Sequence, residues 1–323
     1  MHYRSFGRTG WQVAEMGYGM WGMGGWTGSE DEESLASLQR SVELGCNFFD
    51  TAFAYGEGHS ERLLGRLLRQ NPGTRLYTAT KIPPKNRQWP SRRGALLDEV
   101  FPADYIREMV NESLRNLGTE SLDLMQFHVW EDEWSKDERW QRVCEDLKQA
   151  GKVRAWGVSV NRWEPDNCLE TLKTGAIDAV QVIYNIFDQN PEDHLFPLAD
   201  ELKIAIIARV PFDEGTLTGT LTKDTTWPPG DWRNTYFVPE NLHASVDRAE
   251  ALRPLIPPGM TMPEMALRFI LANPTVSTII PGMRKLRHVE ANIAASDGTA
   301  LPAELIAQLR QHRWDRKPTK WSQ

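Results

Sequence analysis

At 323 residues, 40% of them apolar and 25% charged, the chain has the composition of a folded globular protein long enough to bury a sizeable core. A formal net charge of −7 with no basic block argues against a nucleic-acid partner, and no stretch approaches the ~20 consecutive apolar residues of a membrane span. Cys46, Cys144 and Cys168 are dispersed and form no CxxC pair, which argues against a disulfide framework or thiolate metal site and suggests a reducing cytoplasm.

The N-terminal MHYRSFGRTGWQVAEMG lacks the apolar run of an export signal. Its residues 3–13 read as a β-hairpin with Thr9-Gly10 in the turn, suited to plugging one end of a barrel. Short apolar or β-branched runs then mark strands at 17–19, 48–50, 76–80, 122–127, 155–159, 179–183, 205–208 and 277–280. Amphipathic stretches between and after them predict helices at 31–44, 60–69, 103–117, 136–150, 165–172, 192–202, 262–272 and 286–295. In the third of these, Ile106, Met109, Val110, Leu114 and Leu117 mark one buried face and Gly118 a C-terminal stop; Leu63, Leu64, Leu67 and Leu68 form a similar core stripe in the second. Alternating strands and helices of this number predict an α/β fold, a (β/α)₈ barrel occupying residues 1–323 as one domain. Residues 211–240, with Pro228-Pro229-Gly230 and two tryptophans, read as a long irregular lid or binding loop. An apolar-periodic stretch at 302–312 and a polar tail form an extension beyond the repeat.

Asp50 and Tyr55 follow the second predicted strand, Lys81 the third and His128 the fourth. Strand C-termini face one mouth of such a barrel, where active sites are built, so these side chains can converge across a long span of sequence. A phenol of pKa ~10 becomes a useful proton donor when an ammonium stabilises its phenolate. Lys81 supplies that ammonium, Asp50 pairs with Lys81, and His128 can hydrogen-bond the substrate oxygen beside Tyr55.

Several segments together resemble the aldo-keto reductases: FFDTAFAYGEGHSERLLGRLL (48–68), YTATKI (77–82), LMQFHVW (124–130), KVRAWGVSV (152–160), VQVIYN (180–185) and TIIPGMRKLRHVEANIAA (278–295). The resemblance covers nearly the whole chain and implies an oxidoreductase whose catalytic tetrad is Asp50, Tyr55, Lys81 and His128. It implies NADPH as cofactor, with Ser159, Asn161 and Gln181 at its carboxamide and Asp50 near the ribose. Gly282 and Arg284 of the PGMR stretch, with Arg287, would meet the adenosine phosphate, and Asn292 the adenine. The resemblance also implies that Met20 and Trp21 approach cofactor or substrate closely. The chain departs from the family pattern where Arg209 replaces the aromatic that stacks on the nicotinamide, where Val160 intervenes between Ser159 and Asn161, and where Ala291 replaces an acidic residue.

Trp21, Trp89, Trp130 and Trp232, with Trp227, can form an aromatic substrate pocket; Trp26 and Trp134 fall in similar loop segments. GYGMWG at 17–22 formally matches a dinucleotide fingerprint, but the MGGWTGS after it cannot open a helix, so that reading is set aside. His128 near Glu131, Asp132 and Glu133 has no second histidine nearby, and no metal is expected. The expected function is NADPH-dependent reduction of a small aldehyde or ketone by a monomer or small homo-oligomer. Its alternatives are a nucleotide-sensing subunit with little turnover and a barrel of unrelated chemistry.

Overall fold

The computed structural model describes residues 1–25, 28 and 30–322, so Trp26 lies outside the described residues. A two-stranded antiparallel hairpin, β1 (Tyr3–Ser5) and β2 (Gln12–Ala14), leads into eight parallel strands in sequential order. These are β3 (Tyr18–Gly19), β4 (Phe48–Asp50), β5 (Tyr77–Ile82), β6 (Leu122–Phe127), β7 (Val153–Ser159), β8 (Ala179–Ile183), β9 (Ala205–Arg209) and β10 (Val276–Ile279). Parallel bridges from Met16 to Ile279 and from Gly19 to Gly282 join the first strand to the last, so the sheet closes as the expected barrel.

The helices outside the sheet begin with α1 (Asp31–Glu43), α2 (His59–Gln70), a single turn α3 (Leu97–Val100), α4 (Ala103–Leu117), α5 (Glu138–Gln149) and α6 (Leu169–Lys173). They continue with α7 (Leu195–Leu202), another single turn α8 (Arg233–Tyr236), α9 (Pro239–Leu252), α10 (Met262–Leu271), α11 (Leu286–Ala294) and α12 (Ala303–Arg310). Local signals set several boundaries. Gly118 ends α4 in the left-handed region at φ 66°, and the Asp137 side chain accepts from Arg139 N to start α5, two residues after the expected start. The helix expected at 165–172 begins only at Leu169, and the one expected at 192–202 begins at Leu195, because turns around Pro165 and Pro191 come first.

Two differences affect the site. Strand β5 runs to Ile82, which puts Lys81 inside the strand rather than beyond it. The long segment after β9 carries short helical turns, Asp213–Thr218 and α8, and then the unforeseen α9, whose Pro239 occupies the first helical turn.

The barrel interior is a packed apolar column. Phe48, Tyr77, Ala79, Leu124, Ala155, Ala179, Ala205 and Ile207 point inward, and Phe6 and Val13 of the hairpin region seal the column from below. A second, larger core lies between the outer strand faces and the helices. Side chains alternate along a strand, so Asp50, Lys81, Gln126, Gln181 and Arg209 each lie two residues beyond an inward apolar residue and share its direction one layer higher. The apolar column thus ends in a polar layer at the mouth.

Candidate active site

Lys81 is fully buried, and its Nζ donates to Asp50 Oδ2 at 2.5 Å, Thr51 O at 2.8 Å and the Tyr55 hydroxyl at 3.3 Å. Asp50 Oδ1 accepts from Gln126 Nε2 at 3.1 Å and from Gln181 Nε2 at 2.8 Å, so both carboxylate oxygens are satisfied and Lys81 is held in one position. The Tyr55 ring meets His128 edge to face at 5.7 Å, and Trp89 meets His128 on another side at 4.5 Å. All four residues of the expected tetrad therefore come together at the strand ends.

Tyr55 reaches this position through a turn that requires glycine. Gly56, Glu57 and Gly58 have φ of 69°, 48° and 83°, and a Cβ on Gly56 would lie 2.3 Å from the Gly24 carbonyl. The Thr51 hydroxyl donates to Ser60 Oγ at 2.8 Å and ties the turn to the start of α2.

The electrostatics follow from burial and neighbours. Burial pushes the Tyr55 phenol up, and the Lys81 ammonium offsets only part of that, so the hydroxyl keeps its proton at neutral pH. Burial alone would lower Lys81, but Asp50 and then Tyr55 outweigh it and hold the ammonium above its ordinary value. His128 is held well below the usual histidine range by burial and then by the charges of Lys81 and Arg209. A neutral imidazole carries one N–H and can donate one hydrogen bond.

These groups line a cavity of about 1190 Å³, more room than a drug-sized ligand needs. Met20, Trp21, Asp50, Tyr55, Trp89, His128, Ser159, Asn161, Gln181, Arg209, Trp232, Gly282 and Arg284 all line it, as expected from the sequence. Asn292 and Arg287 do not; Asn292 is buried in α11 one turn beyond His288, which does line the cavity. Trp130 is a correction. It is wholly buried, packs against Phe127, Trp134 and Trp140, and donates to Thr171 Oγ1 at 2.8 Å, so it is part of the sheet-to-helix core. Trp227 also lies outside the cavity, stacked on Phe237 at 5.1 Å. Glu131 accepts from Asn161 and Asn167, and Asp132 accepts from the backbone of Glu170 and Thr171 at α6, so these acids serve the loop structure.

A nucleotide cofactor fits this cavity on two observations. Asn161 Oδ1 is buried without a partner among the described residues, an acceptor left for an amide N–H. Gly215 and Gly282 line the cavity, and a Cβ on either would project into open space, where backbone can approach a ligand closely.

Residues 15–313 match the model of the aldo/keto reductase family. The chain belongs to that family. It is thereby an NAD(P)H-dependent oxidoreductase of carbonyl and alcohol groups. It is similar to the Bacillus subtilis protein named uncharacterized oxidoreductase YqkF, at 30% identity over 97% of this chain and 96% of the relative. It is also similar to the NADH-specific methylglyoxal reductase of Escherichia coli, at 30% identity over 90% and 91%. Among solved structures it resembles the holo form of the aldo-keto reductase AKR11C1 from Bacillus halodurans, with a TM-score of 0.78, 27% identity and full coverage of both chains.

Sequence reasoning missed several residues at the mouth of this reductase. Gln126 was legible as a lone polar residue in the inward register of an apolar strand. Arg162, after β7, pairs with Glu214, after β9, at 2.5 Å across the cavity rim. The tail after α12 is not a free polar end: Trp321 and Ser322 line the cavity, and Trp321 meets Trp163 and Tyr236 edge to face. Arg316 anchors the tail by pairing with Asp188 and Asp213 between the rings of Trp163 and Trp314.

Proposed function

We propose that the protein reduces an aldehyde or ketone to the alcohol with NADPH, with Tyr55 donating the proton. The observation that carries this reading is the Lys81 ammonium, hydrogen-bonded to both Asp50 and the Tyr55 hydroxyl at the cavity floor. Bound NADPH would supply the hydride. Tyr55, protonated at neutral pH, delivers its proton to the carbonyl oxygen, and Lys81 stabilises the phenolate that remains. Asp50, fixed by Gln126 and Gln181, keeps Lys81 charged. Neutral His128 donates to the same carbonyl oxygen and orients it.

Ser159, Asn161 and Gln181 would hold the nicotinamide amide, with Met20, Trp21 and Arg209 close to the ring and Gly282 beside the phosphates. Arg284 would meet the 2′-phosphate and Asn292 the adenine end. Trp21 and Trp232, in edge contact at 5.7 Å, would form with Trp89 an aromatic wall for the substrate. The three buried free cysteines accord with a cytoplasmic setting, and the whole chain would act as one domain.

Fluorescence titration with NADPH and with NADH, followed by a panel of aldehydes and ketones, tests the reading. NADPH should bind at least tenfold tighter, and Arg284→Gln should lose most of that preference while NADH binding changes little. Absence of binding to either cofactor, together with no turnover across the panel, would refute it.

A further inference from the structure

Most cations around the reacting centre have an anion as partner. Lys81 pairs with Asp50, Arg162 with Glu214 and Arg87 with Glu57. Among the described residues Arg209, at the end of β9, has no such partner: its guanidinium donates to the Val160 carbonyl at 3.0 Å, and its Nε is covered without a partner. A neutral carbonyl satisfies a hydrogen bond without pairing the charge, and the nearest acid acting on it, Glu214, is already paired with Arg162, so the charge is costly to keep in an enclosed site. Burial and the like charge of Arg162 outweigh the attraction of Glu214, Tyr55 and Asp50 and push its pKa down to about 10, which still leaves it cationic at neutral pH.

The position of this charge matters for the redox chemistry. Any hydride donor must lie against the carbonyl carbon whose oxygen faces Tyr55, so its ring sits within a few ångströms of the Tyr55 hydroxyl. Arg209 lines the same cavity as Tyr55 and Asp50, its guanidinium fixed on the Val160 carbonyl, and its charge acts on both of them. Hydride passing to the carbonyl carbon and a proton passing from Tyr55 to the oxygen leave the ring with one more positive charge.

We propose that Arg209 sets the preference of the site between the two redox states of its cofactor, holding the oxidised, cationic nicotinamide more weakly than the reduced, neutral one. Arg209 is a positioning residue in this role, since its charge, rather than proton or hydride transfer, produces the effect. At an effective dielectric of about 20, like charges roughly 6–12 Å apart repel enough to change an affinity tenfold to a hundredfold. Arg209 thereby speeds departure of the oxidised cofactor after carbonyl reduction, and the same repulsion makes the bound oxidised cofactor a stronger hydride acceptor in the reverse direction. The aromatic side chain that Arg209 replaces would pack on the ring without this bias.

This inference rests on the cofactor reading above, and its test separates the two. Dissociation constants for NADPH and NADP+ are measured without substrate for the wild type, Arg209→Gln and Arg209→Lys. The wild type should bind NADPH at least tenfold tighter than NADP+; Arg209→Gln should reduce that ratio at least tenfold, mainly by tightening NADP+, and Arg209→Lys should keep it. A glutamine variant that binds both forms at the wild-type ratio, or that weakens both equally, overturns the proposal while leaving the cofactor reading intact. A wild-type protein that binds neither form overturns both.

Discussion

The two ends of the barrel are built to different rules. At the end closed by the hairpin, charged groups are answered several times over: Arg4 donates to Glu15 and to the carbonyls of Leu271, Asn273 and Val276, and Arg8 to Asp178 and the carbonyls of Gly175 and Ile177. At the mouth, Arg209 Nε, His128 Nδ1 and Asn161 Oδ1 are covered without partners among the described residues. Backbone strain is divided in the same way. Among the non-glycine residues with positive φ, Glu57, Arg87, Trp163, Val210 and Glu214 line the cavity or adjoin residues that do, whereas Lys203 lies at the hairpin end. Each such conformation costs on the order of 1–3 kcal/mol and persists where surrounding structure enforces it. The hairpin end answers its own charged groups; the mouth keeps strain and unmet hydrogen bonds at the groups that face a ligand.

Removing the chemistry at the mouth should give the largest effect. Tyr55→Phe deletes the proton donor while the ring still packs against His128, and kcat/KM should fall about 10²–10⁴-fold. Cofactor affinity and thermal stability should stay close to wild type, so a variant that loses cofactor binding would show that Tyr55 is scaffold. Phe6→Ala attacks the other end. Phe6 is wholly buried and packs on Trp11 at 5.5 Å and Phe48 at 5.3 Å, and its loss should cost about 3–5 kcal/mol of stability with kcat/KM per folded molecule unchanged. Chemical denaturation beside steady-state kinetics checks both. A Phe6→Ala protein of normal stability but impaired turnover would erase the proposed division between the ends.

How far the sequence could be read follows the same division. The alternation of strands and helices, the hairpin and the tetrad were legible because they depend on local periodicity and on position within a strand. The polar layer was legible in principle too, since Gln126 and Gln181 keep the inward register of Leu124 and Ala179. Trp130 was misplaced because a tryptophan just past a strand end can turn outward to the helices as readily as inward to the mouth. The tail was unreadable for a different reason: Arg316 is held by Asp188 and Asp213, more than a hundred residues away, and nothing in its own neighbourhood announces that pairing. Helix α9 was left unassigned, since only its first two residues fall in the expected loop 211–240 and Pro239, a helix starter, follows a stretch rich in breakers.

The smallest predicted effect concerns acid stability, through His128 at the mouth. Burial, then Lys81 and Arg209, hold His128 well below the ordinary histidine value in the folded protein, whereas the unfolded chain titrates near ~6.5. Below that pH the unfolded state binds a proton that the native state refuses, so stability falls as pH decreases, by up to ~1.4 kcal/mol per pH unit for this group. Above pH ~6.5 both states are neutral and the contribution is fully present. His288 and His312 are also lowered and add their own dependence, so the informative quantity is a difference between two proteins. His128→Gln keeps a hydrogen-bonding side chain without a titrating group; its unfolding free energy, measured by urea denaturation from pH 7 to pH 5, should decline less steeply than that of the wild type by close to one proton. Parallel curves would mean that His128 takes up its proton in the folded mouth as readily as in the unfolded chain, and the neutral imidazole assigned to the carbonyl oxygen would have to be abandoned.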